Sequence, residues 1–152
     1  MKVGLERSGR TWDDIDIASS GYLALGENDE EISRSLDQYR KPLSFYGSTR
    51  SYHHVLRLHG LVDLGMRLHK LSLDGRWQEM QDIITEDDLL KLAETCTYDD
   101  YPAFVRNNRE YASQMGFGFG GDNTPDRKDR AQALMKDLQS LKTPGVPVGL
   151  EF

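Results

Sequence analysis

Histidines are the residues with the most obvious capacity for chemistry in this sequence, and three of the four lie close together. His53, His54 and His59 fall within 43–60, LSFYGSTRSYHHVLRLHG. A zinc site needs three or four converging ligands, and two ligands on one helix are usually three or four residues apart. The separations here are one, five and six residues, and no acidic residue lies between the histidines. The spacing therefore predicts no metal site.

The same segment has the apolar periodicity of a helix. Tyr52, Val55, Leu56 and His59 recur at i, i+3, i+4 and i+7, which is one helical face. The pattern predicts that His59 is a hydrogen-bonded core histidine. His53 lies on the polar side and is predicted to be solvated.

A glycine followed by two hydroxyl residues, Gly47-Ser48-Thr49, precedes this apolar face. If a helix begins near Ser48 or Thr49, its free N–H groups and its dipole could hold an anion. Plain N-capping requires the same residue types. The spacing alone favours capping over ligand binding and leaves both interpretations open.

Other reactive or unusual residues have structural explanations. Cys96 has no base beside it in the sequence, which predicts a buried structural thiol rather than a nucleophile. The glycine run at 117–121, FGFGG, lacks the spacing of a dinucleotide-binding loop. Trp77 shares a helical spacing with Met80 and Ile84, which predicts a core position.

The order of the predicted elements indicates an α/β fold. We predict a strand at 14–26, a helical insertion at 28–91, two βα units at 92–142 and an irregular tail at 143–152, all in one domain over 1–152. Alternation of strands and helices predicts parallel strands joined by crossovers.

Capping and turn signals place the helix ends within this order. Asn28 followed by Glu31 predicts a helix start, and Pro42 is predicted to stop that helix. Thr85 with Asp88 predicts a second capped helix. Tyr101-Pro102 is predicted to open a helix running to about Met115, and Thr124-Pro125 to open the last one. A third strand is predicted at 117–121.

Composition limits the classes of function. The 152 residues carry a net charge of −6, which argues against a nucleic-acid partner because phosphates attract a basic surface. The single cysteine indicates no internal disulfide and suits a reducing, cytoplasmic location. No stretch is apolar for long enough to predict a membrane span.

Two motifs resemble a known family. The run 43–60, followed by GRWQEMQDIITEDDL, is similar to the luciferase-like monooxygenase superfamily, in its deazaflavin (coenzyme F-420)-dependent oxidoreductase branch. That family shows FYxSTPxYxxVLxxHG followed by GRWxEM. The positions that match are Phe45, Tyr46, Ser48, Thr49, Tyr52, Val55, Leu56, His59, Gly60, Gly75, Arg76, Trp77, Glu79 and Met80. Arg50 and His54 depart from it, because both stand where the family commonly has proline.

The resemblance covers about residues 4–90 and implies a fold, a reaction and a cofactor. The implied fold is the C-terminal part of a (β/α)8 TIM barrel, incomplete, with about three strands and a helical insertion. The implied reaction is hydride transfer between coenzyme F-420, or alternatively FMN, and a small organic substrate. The implied cofactor- or substrate-binding residues are Phe45, Ser48, Thr49 and Tyr52, while no catalytic residue can be assigned.

A partial barrel would lack the strands that supply the rest of the ligand site. The resemblance therefore implies either a separate polypeptide carrying the N-terminal half of the barrel or a homo-oligomer. The alternative interpretation is a non-catalytic remnant or interaction module with a partial α/β fold.

Overall fold

The computed structural model describes residues 1–109, 112, 114–115 and 125–141. Within these residues the chain forms two compact units, 22–95 and a second unit that joins 1–21 to the residues from 96 onward. Most of the described chain is helical, and its strands are only two to four residues long.

The unit at 22–95 contains the larger part of the helices. Strand β2 (Leu23–Gly26) leads into six helices, and the unit ends in the first residues of strand β3 (Glu94–Thr97), which pairs with β2. The helices are α2 (Asp29–Asp37), α3 (Arg40–Ser48), α4 (His53–Leu58), α5 (Val62–Leu73), α6 (Trp77–Asp82) and α7 (Glu86–Leu92). A 3₁₀ turn (Arg50–Tyr52) joins α3 to α4.

The core of this unit is built from the apolar stripes of these helices. Its buried side chains include Leu36, Leu56, Leu68, Met80 and Leu89, contributed by α2, α4, α5, α6 and α7. Short helices are marginal alone, so burial of these stripes supplies most of their stability.

The second unit, formed by 1–21 and residues from 96 onward, combines a short parallel strand pair with helices. It contains α1 (Lys2–Ser8), a 3₁₀ turn (Trp12–Asp14), β1 (Ala18–Ser19), α8 (Tyr101–Asn108), β4 (Gln114–Met115) and α9 (Pro125–Ser140). Strands β1 and β4 run parallel, with Ala18 opposite Gln114 and Ser19 opposite Met115. Tyr101, Val105 and Leu134 are buried in this unit.

Several predicted helix boundaries agree with the structure. The Asn28 side chain accepts a hydrogen bond from the Glu31 N–H at 3.0 Å, and α2 follows it. Thr85 and Asp88 form the reciprocal capping box before α7. After α5 and its C-cap Asp74, Gly75 takes the left-handed conformation, at φ 71°.

The predicted TIM-barrel portion is wrong. The described strands form two separate two-stranded sheets, and the described chain is mostly helical, which does not resemble three consecutive barrel strands. The strand predicted at 14–26 is replaced by a 3₁₀ turn and the short strands β1 and β2. Ser20 and Gly21 lie in the break between β1 and β2, and serine and glycine provide little of the side-chain packing that holds a strand in a sheet.

Two further boundaries differ from the prediction. Pro42 does not stop a helix but lies in the first turn of α3, where its missing N–H needs no intrahelical partner. Helix α8 ends at Asn108, well before Met115, and Met115 belongs to β4. The strand predicted at 117–121 and the tail at 143–152 lie outside the described residues.

None of the described helices combines the length and the apolar character needed to cross a bilayer.

Candidate functional site

A cavity of about 370 Å³ opens in the unit at 22–95. Ligand pockets in proteins range from about 300 to 1,000 Å³ and are lined mainly by apolar and aromatic groups. The end of α3, the 3₁₀ turn and α4 form most of the wall. The lining residues are Tyr22, Leu43, Tyr46, Gly47, Tyr52, Val55, Leu56, His59 and Leu92.

Aromatic rings pack edge to face along the wall. The rings of Tyr46 and Tyr52 lie 5.5 Å apart, and Phe45 packs against Tyr46 at 5.7 Å. On the other side, Tyr22 packs at 5.1 Å against Tyr39, whose hydroxyl donates to the Leu23 carbonyl at 2.6 Å. Edge-to-face geometry is favourable because the positive edge of one ring meets the negative face of the next. These contacts fix the rings that line the cavity.

Two glycines allow the helices behind the wall to pack closely. A Cβ added at Gly47 of α3 would lie 2.8 Å from Cδ1 of Leu68 in α5. A Cβ added at Gly65 of α5 would lie 2.6 Å from Cδ1 of Leu56 in α4. The close contact with α5 therefore holds the elements that carry Tyr46, Tyr52 and Leu56.

The phenol of Tyr22 is held in its protonated form. Burial raises the pKa of Tyr22, and the neighbouring phenols of Tyr46 and Tyr52 raise it further. Burial also raises the pKa of Tyr39. Since a protonated phenol has an O–H, Tyr22 can donate a hydrogen bond to a ligand oxygen in the cavity.

The structure brings one of the four predicted site residues, Tyr52, to the cavity. Phe45 is 55% exposed and does not line it. The Ser48 hydroxyl is buried and donates to the Phe45 carbonyl at 2.7 Å, and the Thr49 hydroxyl reaches the same oxygen at 3.3 Å. Both hydroxyls are thus used within the end of α3.

The helix N-terminus expected at Gly47-Ser48-Thr49 is not present. Gly47 and Ser48 belong to the last turn of α3, and Thr49 only precedes the 3₁₀ turn, with no capping hydrogen bond from its side chain. A helix C-terminus presents carbonyl oxygens, which repel anions. This geometry removes the physical basis of the anion-cradle interpretation.

Thr85→Ala is expected to lower the free energy of unfolding by about 1 kcal/mol, because it removes the hydroxyl that caps the Asp88 N–H of α7. Thr49→Ala is the matched control, since Thr49 precedes a 3₁₀ turn without capping it. We expect a change of less than about 0.5 kcal/mol for the control. Urea denaturation measures both, and equal losses in the two variants would contradict the assignment of caps.

Two predictions about the histidines are wrong. His59 is exposed and lines the cavity instead of being buried in the core. His53 is half-buried, and its Nε2 is buried with no hydrogen-bond partner among the described residues. The His53 ring packs edge-on against His69 at 6.2 Å, and the His69 Nδ1 donates to the Ser48 carbonyl at 2.9 Å.

Metal ligands are not clustered in the described part of the chain. It contains no group of three histidine, cysteine, aspartate or glutamate side chains that could hold an ion. Cys96 is half-buried, and burial followed by the charge of Asp100 raises the pKa of its thiol. A raised pKa lowers the thiolate fraction and so weakens the nucleophile.

A second hollow of about 330 Å³ lies between α2, α3 and α7. Its polar groups are already engaged with one another. Arg40 binds the Asp37 carboxylate at 2.6 Å and donates to the Ile84 carbonyl, and the Ser33 hydroxyl donates to Glu86 at 3.0 Å. We interpret these bonds as structural contacts that hold the helices together.

Residues outside the motif were missed by reasoning from the sequence. Tyr22, which precedes β2, and Leu92, at the end of α7, also reach the cavity, and no local spacing links them to 43–59. Tyr46 belongs to the motif and is adjacent to Phe45, a predicted site residue, so the motif could have indicated Tyr46 as a lining residue. Trp77, predicted to be in the core, is 54% exposed.

Comparison with known proteins finds relatives but no activity. No family model matches the sequence, and no solved structure matches it. Uncharacterized proteins of Mycobacterium bovis and of two strains of Mycobacterium tuberculosis are each 36% identical to the chain over 107 residues. The match covers 70% of this chain and 32% of each relative. The chain thus spans about a third of the length of the curated relatives it matches.

Proposed function

We propose that this chain is a portion of a flavin- or deazaflavin-dependent oxidoreductase and forms one wall of its ligand pocket. The observation that carries the proposal is the origin of the lining residues. Five of them belong to the motif that resembles the oxidoreductases, namely Tyr46, Tyr52, Val55, Leu56 and His59. A motif whose side chains converge on one cavity is more readily explained by a ligand than by packing alone.

The lining groups fit an aromatic ring, which both the implied cofactor and an organic substrate can provide. A planar heterocycle suits a cavity walled by Tyr46 and Tyr52, because aromatic rings stack on one another and phenols donate to ring carbonyl oxygens. A phosphate suits it poorly, because the hydroxyls of Ser48 and Thr49 are bonded to the Phe45 carbonyl. When bound, coenzyme F-420 or FMN supplies the hydride chemistry, while the residues of this chain orient ligands and exclude water.

The rest of the proposed active site would come from another polypeptide segment. Since the chain spans about a third of the length of its relatives, the complete activity would need residues outside the matched region. The proposed partners are a small-molecule substrate and either a separate chain or a second copy. We also propose a cytoplasmic location, in keeping with the acidic composition and the single cysteine.

Titration with cofactors tests this proposal. The full chain and the full-length relative from Mycobacterium tuberculosis would each be titrated with coenzyme F-420 and with FMN, followed by absorbance and fluorescence. We expect the relative to bind one of the two in the micromolar range and this chain to bind it more weakly. If neither protein binds either cofactor, the proposed function is wrong.

A second candidate function is a non-catalytic interaction module, and the exposed apolar side chains of the same unit favour it. Val55 is 37% exposed, and Leu58, one turn later on α4, is 83% exposed. Exposed apolar groups that lie together commonly mark an interface. For this candidate the partner is a second copy of the chain.

Leu58→Ser is expected to shift the chain from dimer to monomer if α4 forms that interface, because the change removes an apolar contact at its centre. Leu90→Ser is the control, since Leu90 is also an exposed leucine but lies on α7. Light scattering coupled to gel filtration measures the mass. A wild-type chain that is monomeric at 100 μM would exclude the homodimer.

A further inference from the structure

The polar side chains that line the cavity are all aromatic. Three are phenols, from Tyr22, Tyr46 and Tyr52, and the fourth is the imidazole of His59. No aspartate, glutamate, lysine or arginine lines the cavity within the described residues. The remaining lining groups are the aliphatic side chains of Leu43, Val55, Leu56 and Leu92 and the backbone of Gly47.

This lining discriminates between charged and uncharged ligands. A carboxylate or an ammonium group that enters the cavity loses water and meets no carboxylate, ammonium or guanidinium partner on the described wall, which is unfavourable. An uncharged ring loses little hydration free energy and gains contacts, because its faces can pack on Tyr46 and Tyr52 and on the aliphatic side chains.

Hydrogen-bonding capacity narrows the class of ligand further. The Tyr22 phenol packs against Tyr39 and, like any tyrosine, carries its proton at neutral pH, and burial raises its pKa further. A protonated phenol donates to a carbonyl or ether oxygen. A ligand oxygen within reach of this O–H would therefore be fixed in position. Contacts with the apolar side chains alone would not determine the orientation of the ligand.

We propose that the cavity takes an uncharged aromatic molecule bearing a carbonyl or ether oxygen, and that such molecules are the organic substrates of the oxidoreductase. The second half of this inference rests on the proposed function. A volume near 370 Å³ is at the small end of the range for ligand pockets, which favours compounds of about two fused rings.

Three coumarin derivatives of nearly equal size test the class of ligand. Coumarin-3-carboxamide is uncharged, coumarin-3-carboxylate is an anion and 3-(aminomethyl)coumarin is a cation at pH 7. Isothermal titration of the full chain in 0.15 M salt compares their dissociation constants, with both signs of charge included because the chain itself is acidic. We expect the carboxamide to bind at least 10-fold more tightly than either ion. Equal or tighter binding of either ion would overturn the inference.

Variants locate the binding. Tyr22→Phe retains the ring and removes the O–H, so we expect 3- to 10-fold weaker binding of the carboxamide. Tyr39→Phe is the matched control, because Tyr39 packs on Tyr22 without lining the cavity, and its affinity should stay within twofold of the wild type. Val55→Trp, at a half-exposed rim position, should fill the cavity and abolish binding. Unchanged affinity in both Tyr22→Phe and Val55→Trp would place the ligand elsewhere and contradict the inference.

The two proposals can fail separately. If the carboxamide binds as expected and neither coenzyme F-420 nor FMN binds the chain or its full-length relative, the ligand class stands and the oxidoreductase assignment fails. If a cofactor binds and the carboxamide shows no preference over the ions, the oxidoreductase assignment stands and the ligand class fails.

Discussion

Leu68→Ala is expected to lower the free energy of unfolding by about 3 kcal/mol. Leu68 is 1% exposed in α5 and belongs to the core of the unit at 22–95. Its Cδ1 packs on Gly47, at the end of α3 that carries the cavity wall. Truncation to alanine removes buried apolar atoms and leaves a cavity that the surrounding helices fill only in part.

Leu73→Ala is the matched control for this prediction. Leu73 ends the same helix and is 75% exposed, so its truncation removes little buried surface. Urea denaturation followed by circular dichroism should show a change of less than about 0.5 kcal/mol for Leu73→Ala. Similar losses for the two leucines would contradict the packing of α5 against α3.

Gly26→Ala is expected to lower the free energy of unfolding by about 2–3 kcal/mol. A Cβ at this position would lie 2.7 Å from the Ile32 backbone nitrogen and 2.7 Å from the Glu31 Cβ. Both neighbours belong to α2, whose Asn28 cap fixes the first turn. Since a backbone atom cannot rotate away as a side chain can, β2 and α2 would have to separate.

Gly21→Ala provides the comparison, because a Cβ there meets no atom within 4 Å and the residue has no positive φ. Alanine in place of an unstrained glycine restricts the unfolded chain, so stability should be unchanged or rise by up to about 1 kcal/mol. Thermal unfolding of both variants measures the contrast. A stable Gly26→Ala protein would show that β2 and α2 are farther apart than described.

Local signals in the sequence predicted helix ends better than they predicted the fold. Asn28 and Thr85 cap helices as expected, because a cap depends on residues three positions apart. The TIM-barrel prediction failed because the sequence does not show which short apolar runs pair with one another. Helix α3 was not predicted as a separate helix, because Pro42 was interpreted as a stop rather than as a first-turn residue.

The histidine faces show how a small local change reverses a prediction. The periodicity assumed one continuous helix from Ser48 or Thr49 through His59. The structure has a 3₁₀ turn followed by a six-residue helix, and 3₁₀ geometry advances fewer residues per turn. This change of phase turns His53 toward Gly65 and leaves His59 at the cavity.

The motif and the cavity overlap only in part. Tyr52 was predicted and lines the cavity, whereas Phe45, Ser48 and Thr49 support the wall from behind or face solvent. Tyr22 and Leu92 lie 24 residues or more from Tyr46 in the sequence and become neighbours only after folding. Tertiary packing, which a single sequence does not specify locally, therefore decides the composition of the site.

An amide NMR spectrum of the chain titrated with lumiflavin shows whether the cavity binds an aromatic ring, because lumiflavin is the uncharged ring system of FMN without its ribityl phosphate chain. If the cavity is a site for aromatic ligands, the largest shifts should be those of Tyr22, Tyr46, Gly47, Val55 and His59. The amides of the hollow between α2 and α7 should not move. No shifts at millimolar lumiflavin, or shifts confined to other residues, would contradict a ligand site in this cavity.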